Sequence, residues 1–132
     1  MDAKDIKPVS IPLRLRDGQK VGLTLNFLLL YKLRAQKPEQ YKRFFTAYND
    51  LCKKNADPVF FNLDIIYTAY LCDVMGRGEM LEEALSFEAF LDLVPVDLDV
   101  INDLALTLLF PKRAADFAAR SETAAEQATG TA

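Results

Sequence analysis

The chain has 132 residues, of which 51% are apolar and 27% are charged, as expected for one globular domain. It contains no histidine and no tryptophan. The lack of histidine excludes a Ser-His-Asp or Cys-His nucleophile, an imidazole metal ligand and an HExxH zinc helix. We therefore predict a binding or assembly protein rather than an enzyme, with no cofactor and no metal.

The net charge of −3 conceals an uneven distribution of charged residues. Residues 1–56 carry a net charge of +7, whereas residues 57–110 carry −10 and contain a single basic residue, Arg77. Such asymmetry indicates either that the basic half binds nucleic acid or that the two halves neutralise each other. Neutralisation within one chain and neutralisation between subunits are both compatible with the sequence.

The cysteines and the chain start predict a cytosolic, soluble protein. Cys52 and Cys72 are too few and too far apart for a zinc site, and we expect free thiols in a reducing compartment. A disulfide between neighbouring helices is the alternative. The first residues carry both charge signs and no apolar run, unlike a signal peptide. The longest uncharged run, Val21 to Tyr31, is shorter than the roughly 20 residues of a membrane span, so we predict no membrane partner.

After a flexible start over residues 1–8, alternating apolar and polar residues predict a β-hairpin. Its strands are Val9–Arg16 and Lys20–Leu25, joined by a turn at Asp17-Gly18. Leu13 and its neighbours at alternate positions form one apolar face. Because an isolated hairpin is marginally stable in water, this face must pack on helices or on another copy of the protein.

About five helices follow the hairpin, so the predicted fold class is α+β, mostly α. Asn26 and Ser86 are the predicted N-caps of the first and fourth helices. The first and third helices are apolar nearly all round, which predicts that both are buried, the third at the centre of the core. One domain over residues 9–112 then precedes a largely disordered Ala/Thr/Glu-rich tail, 113–132. The predicted helices are Phe27–Ala35, Pro38–Lys54, Pro58–Met75, Phe87–Leu93 and Asp97–Phe110, with a partly helical segment at Glu79–Leu85.

Two groups of side chains allow a chemical interpretation and a structural one. The first is a set of acidic residues, which we interpret as a solvated face rather than an acid–base pair, since no basic or nucleophilic group accompanies them. The second is the basic, aromatic segment 32–54, whose aromatic rings are able to stack on bases. At helical spacing such rings belong more often to the core, and the acidic second half would repel phosphate, so we predict no nucleic-acid partner. The acidic residues are Asp64, Asp73, Glu82, Glu83 and Glu88; the aromatic ones are Tyr41, Phe44, Phe45 and Tyr48.

Three stretches, in this order, resemble one protein family. A DG-turn hairpin runs into LTLNFLLLYKL, a helix ending in DIIYTAYLCDVMG follows, and LSFEAFLDLVPVDLDVINDLALTLLF completes the pattern. This order is similar to that of the tail assembly chaperones of long-tailed bacteriophages, small helical proteins with an N-terminal hairpin. The resemblance covers about Val9 to Phe110.

The resemblance implies a non-enzymatic function in the host cell cytoplasm. Such chaperones bind the elongated, aggregation-prone tape measure protein and keep it soluble until the tail tube protein polymerises around it. They are usually absent from the finished virion, often form homo-oligomers, and many also exist in a longer, frameshifted form. The alternative function is that of a small cytosolic adaptor that binds one folded partner.

The charge asymmetry predicts which residues carry self-association. The hairpin presents basic side chains opposite its apolar face, and acidic side chains follow the flexible Gly76-Arg77-Gly78 loop. A basic face that meets the acidic face of the next subunit gives a heterologous contact, which builds rings or filaments. The predicted self-association residues are Arg14, Arg16 and Lys20 on one face and Glu79, Glu82 and Glu83 on the other.

Overall fold

The computed structural model describes residues 10–50 and 58–110, and in these ranges a two-stranded hairpin precedes five α-helices and one short 3₁₀ turn. The predicted α+β, mostly α fold is thereby confirmed. The predicted flexible start, the end of the second helix with Cys52, and the predicted tail 113–132 lie outside the described residues. The elements are β1 Ile11–Arg14, β2 Lys20–Leu23, α1 Phe27–Gln36, α2 Pro38–Asp50, α3 Pro58–Gly76, the 3₁₀ turn Leu81–Glu83, α4 Phe87–Leu93 and α5 Leu98–Leu109.

The hairpin pairs antiparallel and buries the face that the alternation predicts. Arg14 lies opposite Lys20 in the register, and both are exposed. The paired strands are shorter than predicted, because the chain leaves the ladder after Leu23 and the Thr24 N–H donates to the Ala69 carbonyl of α3 at 3.1 Å. The buried side chains of this face are Leu13, Leu15, Val21 and Leu23.

Helix α3 is the centre of the core, as predicted. Every residue from Asn62 to Val74 is buried, and the helix contacts the hairpin and the four other helices. By length and composition α3 is apolar enough to cross a membrane, but most of the stretch is buried inside the fold, as in the core helix of a soluble protein. At the middle of this stretch, Ile65, Ile66, Ala69, Tyr70 and Leu71 are at most 5% exposed.

Side-chain caps fix where the helices begin. The Asn26 Oδ1 atom accepts the Leu29 N–H at 2.8 Å, and the Ser86 Oγ atom accepts the Ala89 N–H at 3.2 Å, which confirms both predicted N-caps. Asp97, predicted as the first residue of α5, is instead its N-cap. This difference is small, since a capping residue already accepts the first helical hydrogen bond through its carbonyl.

The prediction that α1 is buried on most sides is wrong. Only Leu29 and Leu33, four positions apart, are buried, whereas Phe27, Leu28 and Tyr31 are exposed. Helix α1 packs on α2 and α3 through this stripe, with Leu30 partly buried beside it, and no described element covers Phe27, Leu28 and Tyr31.

The aromatic residues of α2 are likewise less buried than predicted. The buried stripe of this helix is Gln40, Phe44 and Ala47. Phe45 and Tyr48 stand one position further around the helix and are about half exposed. The buried stripe and the pair Phe45 and Tyr48 both have helical spacing. Periodicity alone therefore does not show which of these two sides of α2 faces the core.

Candidate functional site

The strongest candidate site is an open groove between α1, α2 and the C-terminal end of α5, which we call the aromatic groove. Its volume is about 520 Å³. Four aromatic side chains in it are exposed to an unusual degree, with 90% for Phe27, 65% for Tyr31, 52% for Phe45 and 48% for Tyr48. Exposed apolar patches rimmed by polar residues are typical of surfaces that bind a partner. The lining residues are Leu25, Asn26, Phe27, Leu30, Tyr31, Arg34, Tyr41, Phe44, Phe45, Tyr48, Leu108 and Leu109.

The helical repeat explains why α1 contributes to both the core and the groove. Leu29 and Leu33 form the core stripe, and Phe27 and Tyr31 lie two positions away from them on the opposite side. Two positions correspond to about 200° around an α-helix. A helix that is apolar all round therefore presents one apolar side to the core and one to the groove.

Arg34 brings a positive charge into the aromatic groove. Its guanidinium carbon lies 5.4 Å from the centroid of the Tyr31 ring and 6.0 Å from that of Tyr41, so it bridges α1 and α2. The Tyr41 ring also stacks on Phe45, with a centroid distance of 6.3 Å. Cation–π contacts of this kind hold the charge over the rings. The groove is thus suited to an apolar partner that also carries an acidic residue.

Asp64 of α3 is buried beside α2, which contradicts the prediction of a solvated acidic face at this position. The Arg43 Nε atom lies 3.1 Å from Asp64 Oδ1, and the Arg43 guanidinium also covers the Phe87 ring at 4.3 Å. Burial raises the pKa of the Asp64 carboxyl group above its usual value, and the Arg43 charge opposes this rise. The Gln40 side chain donates to the Thr68 hydroxyl at 3.1 Å in the same layer. These contacts connect α2 to α3.

Asp73 of α3 is also buried, and it joins the helix to the hairpin. Its Oδ1 atom accepts hydrogen bonds from the Ser10 and Thr24 hydroxyls, both at 2.8 Å. Its Oδ2 atom accepts from the Arg77 Nε at 2.8 Å. The expectation that no basic group accompanies the acidic residues is therefore wrong for Asp64, whose partner Arg43 lies on another helix, and for Asp73, whose partner Arg77 lies one helical turn further along the chain. Glu82, Glu83 and Glu88 are exposed, as predicted.

The predicted self-association residues form two separate exposed clusters. On the hairpin, Arg14 and Lys20 are cross-strand partners, and the Arg16 guanidinium donates to the Asp92 carbonyl at 3.3 Å. In the acidic cluster, the Glu79 carboxylate bonds to Arg77 at 2.6 Å. Glu82 and Glu83 are the exposed residues of the 3₁₀ turn, whose Leu81 is buried. Among the described residues, no ion pair joins one cluster to the other.

Residues 10–50 and 58–110 hold no cluster of three or more metal-ligating side chains. Within the same ranges Cys72 is a buried free thiol, and burial raises its pKa to about 12. A thiol with this pKa is almost fully protonated at neutral pH and is therefore a poor nucleophile.

Comparisons with protein-family models, curated proteins and solved structures find no match to this chain. The sequence singled out the groove residues Tyr41, Phe44, Phe45 and Tyr48 but assigned them to the core, because their spacing is equally typical of core, and it did not identify Phe27 and Tyr31. One feature of the sequence does point to the groove. The first helix has apolar residues on nearly all sides, and this is more apolar surface than a single core-facing side requires.

Proposed function

We propose that this protein is a non-enzymatic phage tail assembly chaperone. It binds the elongated, helical tape measure protein in the host cell cytoplasm and releases it to the tail tube protein, without entering the mature virion. The observation that supports this function most is the aromatic groove, in which Phe27 and Tyr31 are more than half exposed. The element order of hairpin and helices supports it as well.

The groove suits an amphipathic helix. Its walls are two helices and its floor includes Leu30 and Phe44, so the apolar face of a client helix would bury aromatic rings on both sides. Helix-in-groove binding of this type uses anchors spaced three, four and seven residues apart. Aromatic walls accept many apolar side chains, which favours binding at repeated places along a long client. Arg34 adds a preference for an acidic residue beside the anchors.

An adaptor that binds one folded partner would use the same groove. The two functions differ in stoichiometry, since a chaperone of an elongated client binds several copies per chain and an adaptor binds one. The mass of the purified complex distinguishes them.

The test is co-expression of the full chain with the tape measure protein encoded beside it. We expect soluble, co-purifying client with several copies of the chaperone per client chain. Phe45→Asp places a charge in the groove and should lower the soluble client at least about tenfold, because an apolar anchor contributes about 1.5–3 kcal/mol.

Phe60→Asp is the matched control. Phe60 is 54% exposed, close to the 52% of Phe45, but lies on α3 outside the groove. This variant should retain the soluble client. Equal yields for the two variants, both folded by thermal melt, would contradict a client site in the groove, and a complex with one copy per partner would favour the adaptor.

A further inference from the structure

The last described residues of the chain lie beside the aromatic groove. Leu108 and Leu109, which end α5, line the groove, and Phe110 is the C-cap that follows them. Phe110 leaves the helical conformation, with φ −134° and ψ 62°, and Pro111 comes next in the sequence. A proline at this place does not continue a helix. The remaining residues, 111–132, therefore start at the rim of the groove, and we call them the distal segment.

The distal segment contains one large apolar side chain, Phe117. Its other apolar residues are alanines, which bury too little surface to form a core of their own. This composition is the reason why the sequence predicts a tail without a fold. It also leaves the Phe117 ring with no partner of its own size inside the segment, whereas the groove offers exposed aromatic rings a short distance away.

The distance from α5 allows Phe117 to enter the groove of its own chain. Seven residues separate it from Phe110, and an extended chain of that length spans up to about 23 Å. Helix α1, which forms one wall of the groove, has 10 residues and a length of about 15 Å. A ring on so short a tether has an effective concentration on the order of millimolar, which favours it over the ring of a second copy.

The charge next to Phe117 matches the charge in the groove. Of the described residues that line the groove, Arg34 is the charged one, and its guanidinium lies over two tyrosine rings. Asp116 directly precedes Phe117, and the basic residues of the segment are three or more positions away. We propose that Phe117 docks in the aromatic groove of its own chain, with Asp116 beside Arg34. The basic residues of the segment are Lys112, Arg113 and Arg120.

This contact makes the distal segment an internal competitor for the groove. A single tethered ring covers the apolar surface while no client is present. A client helix with anchors three, four and seven residues apart covers more of the groove and displaces the ring. The docking itself needs no client, but the competition rests on the proposed function.

Tryptophan fluorescence of the full chain tests the docking. Because the chain has no tryptophan, Phe117→Trp introduces a single reporter. Its indole should be shielded from quenching by acrylamide in the folded protein. Phe45→Asp in the same chain should weaken docking at least about tenfold and expose the indole as fully as in the denatured chain. Phe60→Asp, at an equally exposed position outside the groove, should leave it shielded.

A second reporter position provides the reference for an undocked ring. Ala128→Trp keeps Phe117 in place, so its indole should be accessible in every background. Equal accessibility at positions 117 and 128, or equal quenching in the Phe45→Asp and Phe60→Asp backgrounds, would overturn the proposal. Shielding that is lost on dilution would assign the contact to a second copy and would overturn it as well. Where Phe45→Asp fails to fold, Phe27→Asp replaces it, since that side chain is 90% exposed.

Co-expression with the tape measure protein tests the competition. Phe117→Asp frees the groove and should raise the amount of client captured above that of the wild-type chain, whereas Ala128→Asp should not. Unchanged capture by Phe117→Asp would overturn the competition. Failure of every variant to capture client would contradict the proposed function alone, because the quenching experiment contains no client.

Discussion

At the scale of single residues, Asp73 and Gly22 determine how closely the hairpin approaches α3. A Cβ atom at position 22 would collide with the Asp73 carboxylate and with the Ser10 hydroxyl. The carboxylate cannot move away without cost, because two hydroxyls and the Arg77 guanidinium hold it. Gly22 is therefore required here for close approach rather than for an unusual backbone angle.

This contact predicts that Gly22→Ala and Asp73→Ala are not additive. Gly22→Ala should lower the free energy of unfolding by about 1–3 kcal/mol, as overpacking does in well-packed cores. In an Asp73→Ala background the colliding carboxylate is gone, so the same substitution should cost less. A double-mutant cycle from denaturant melts measures the coupling. Equal costs in both backgrounds would show that Asp73 is not the obstacle.

The Cys72 thiol should be unreactive in the native protein. Burial raises its pKa to about 12, with the neighbouring Asp73 charge adding to the rise, from an ordinary value of 9.0. In a Cys52→Ser variant, which leaves one thiol, labelling by a thiolate-directed reagent at pH 8 should proceed only as fast as the protein opens. The denatured chain, as the control, should label at once.

The raised pKa of Cys72 also makes the stability of the protein depend on pH. Because the folded pKa lies above the unfolded one, the folded state binds the Cys72 proton more tightly, and stability falls as pH rises from about 9 towards 12. A Cys72→Ala variant should lose this part of the pH dependence. Rapid native labelling at pH 8 would contradict both expectations.

At the scale of elements, local sequence signals predicted the hairpin, the five helices and two N-caps. These features depend on residues a few positions apart, such as Asn26 and Leu29. The burial of Asp73 was not predictable, because its partner Ser10 lies 63 positions away. Likewise, the apolar sides of α1 are equivalent in sequence, and only the position of α2 and α3 decides which one is buried.

Truncating a core residue of helix α3 should destabilise the protein strongly. Ile66 is fully buried, so Ile66→Ala leaves a cavity that the surrounding helices cannot fill completely. We expect a loss of about 2–5 kcal/mol in the free energy of unfolding, measured by denaturant melts. Phe60→Ala on the same helix, at a half-exposed position, should cost clearly less. A loss below about 1 kcal/mol for Ile66→Ala would contradict the central position of this helix.

At the scale of the whole molecule, the charge asymmetry of the sequence becomes a spatial one. Among the described residues, the exposed basic side chains lie in residues 10–50 except for Arg77, and the exposed acidic ones lie in residues 79–103 except for Asp17 and Glu39. Like-charged faces of two copies therefore repel each other, and a basic face attracts an acidic one. Copies should therefore associate head to tail rather than face to face.

The last prediction separates charge from apolar contact in this association. Exposed ion pairs contribute only about 0–1 kcal/mol each and are screened by salt, so they modulate the affinity, while apolar burial supplies most of it. Reversing Arg14 and Arg16 to Glu should therefore weaken association modestly and reduce its salt dependence. Because both side chains are exposed, the fold should persist.

Reversal of Glu82 and Glu83 to Arg in the same chain should restore the association if these clusters meet between copies. The association of each variant is measured by sedimentation at about 0.05 M and about 0.5 M salt. The Debye length is more than about 10 Å at the lower concentration and less than about 8 Å at the higher one. Failure of the second reversal to rescue the first would remove these clusters from the contact. Association that is insensitive to salt in every variant would leave apolar burial as the whole of its driving force.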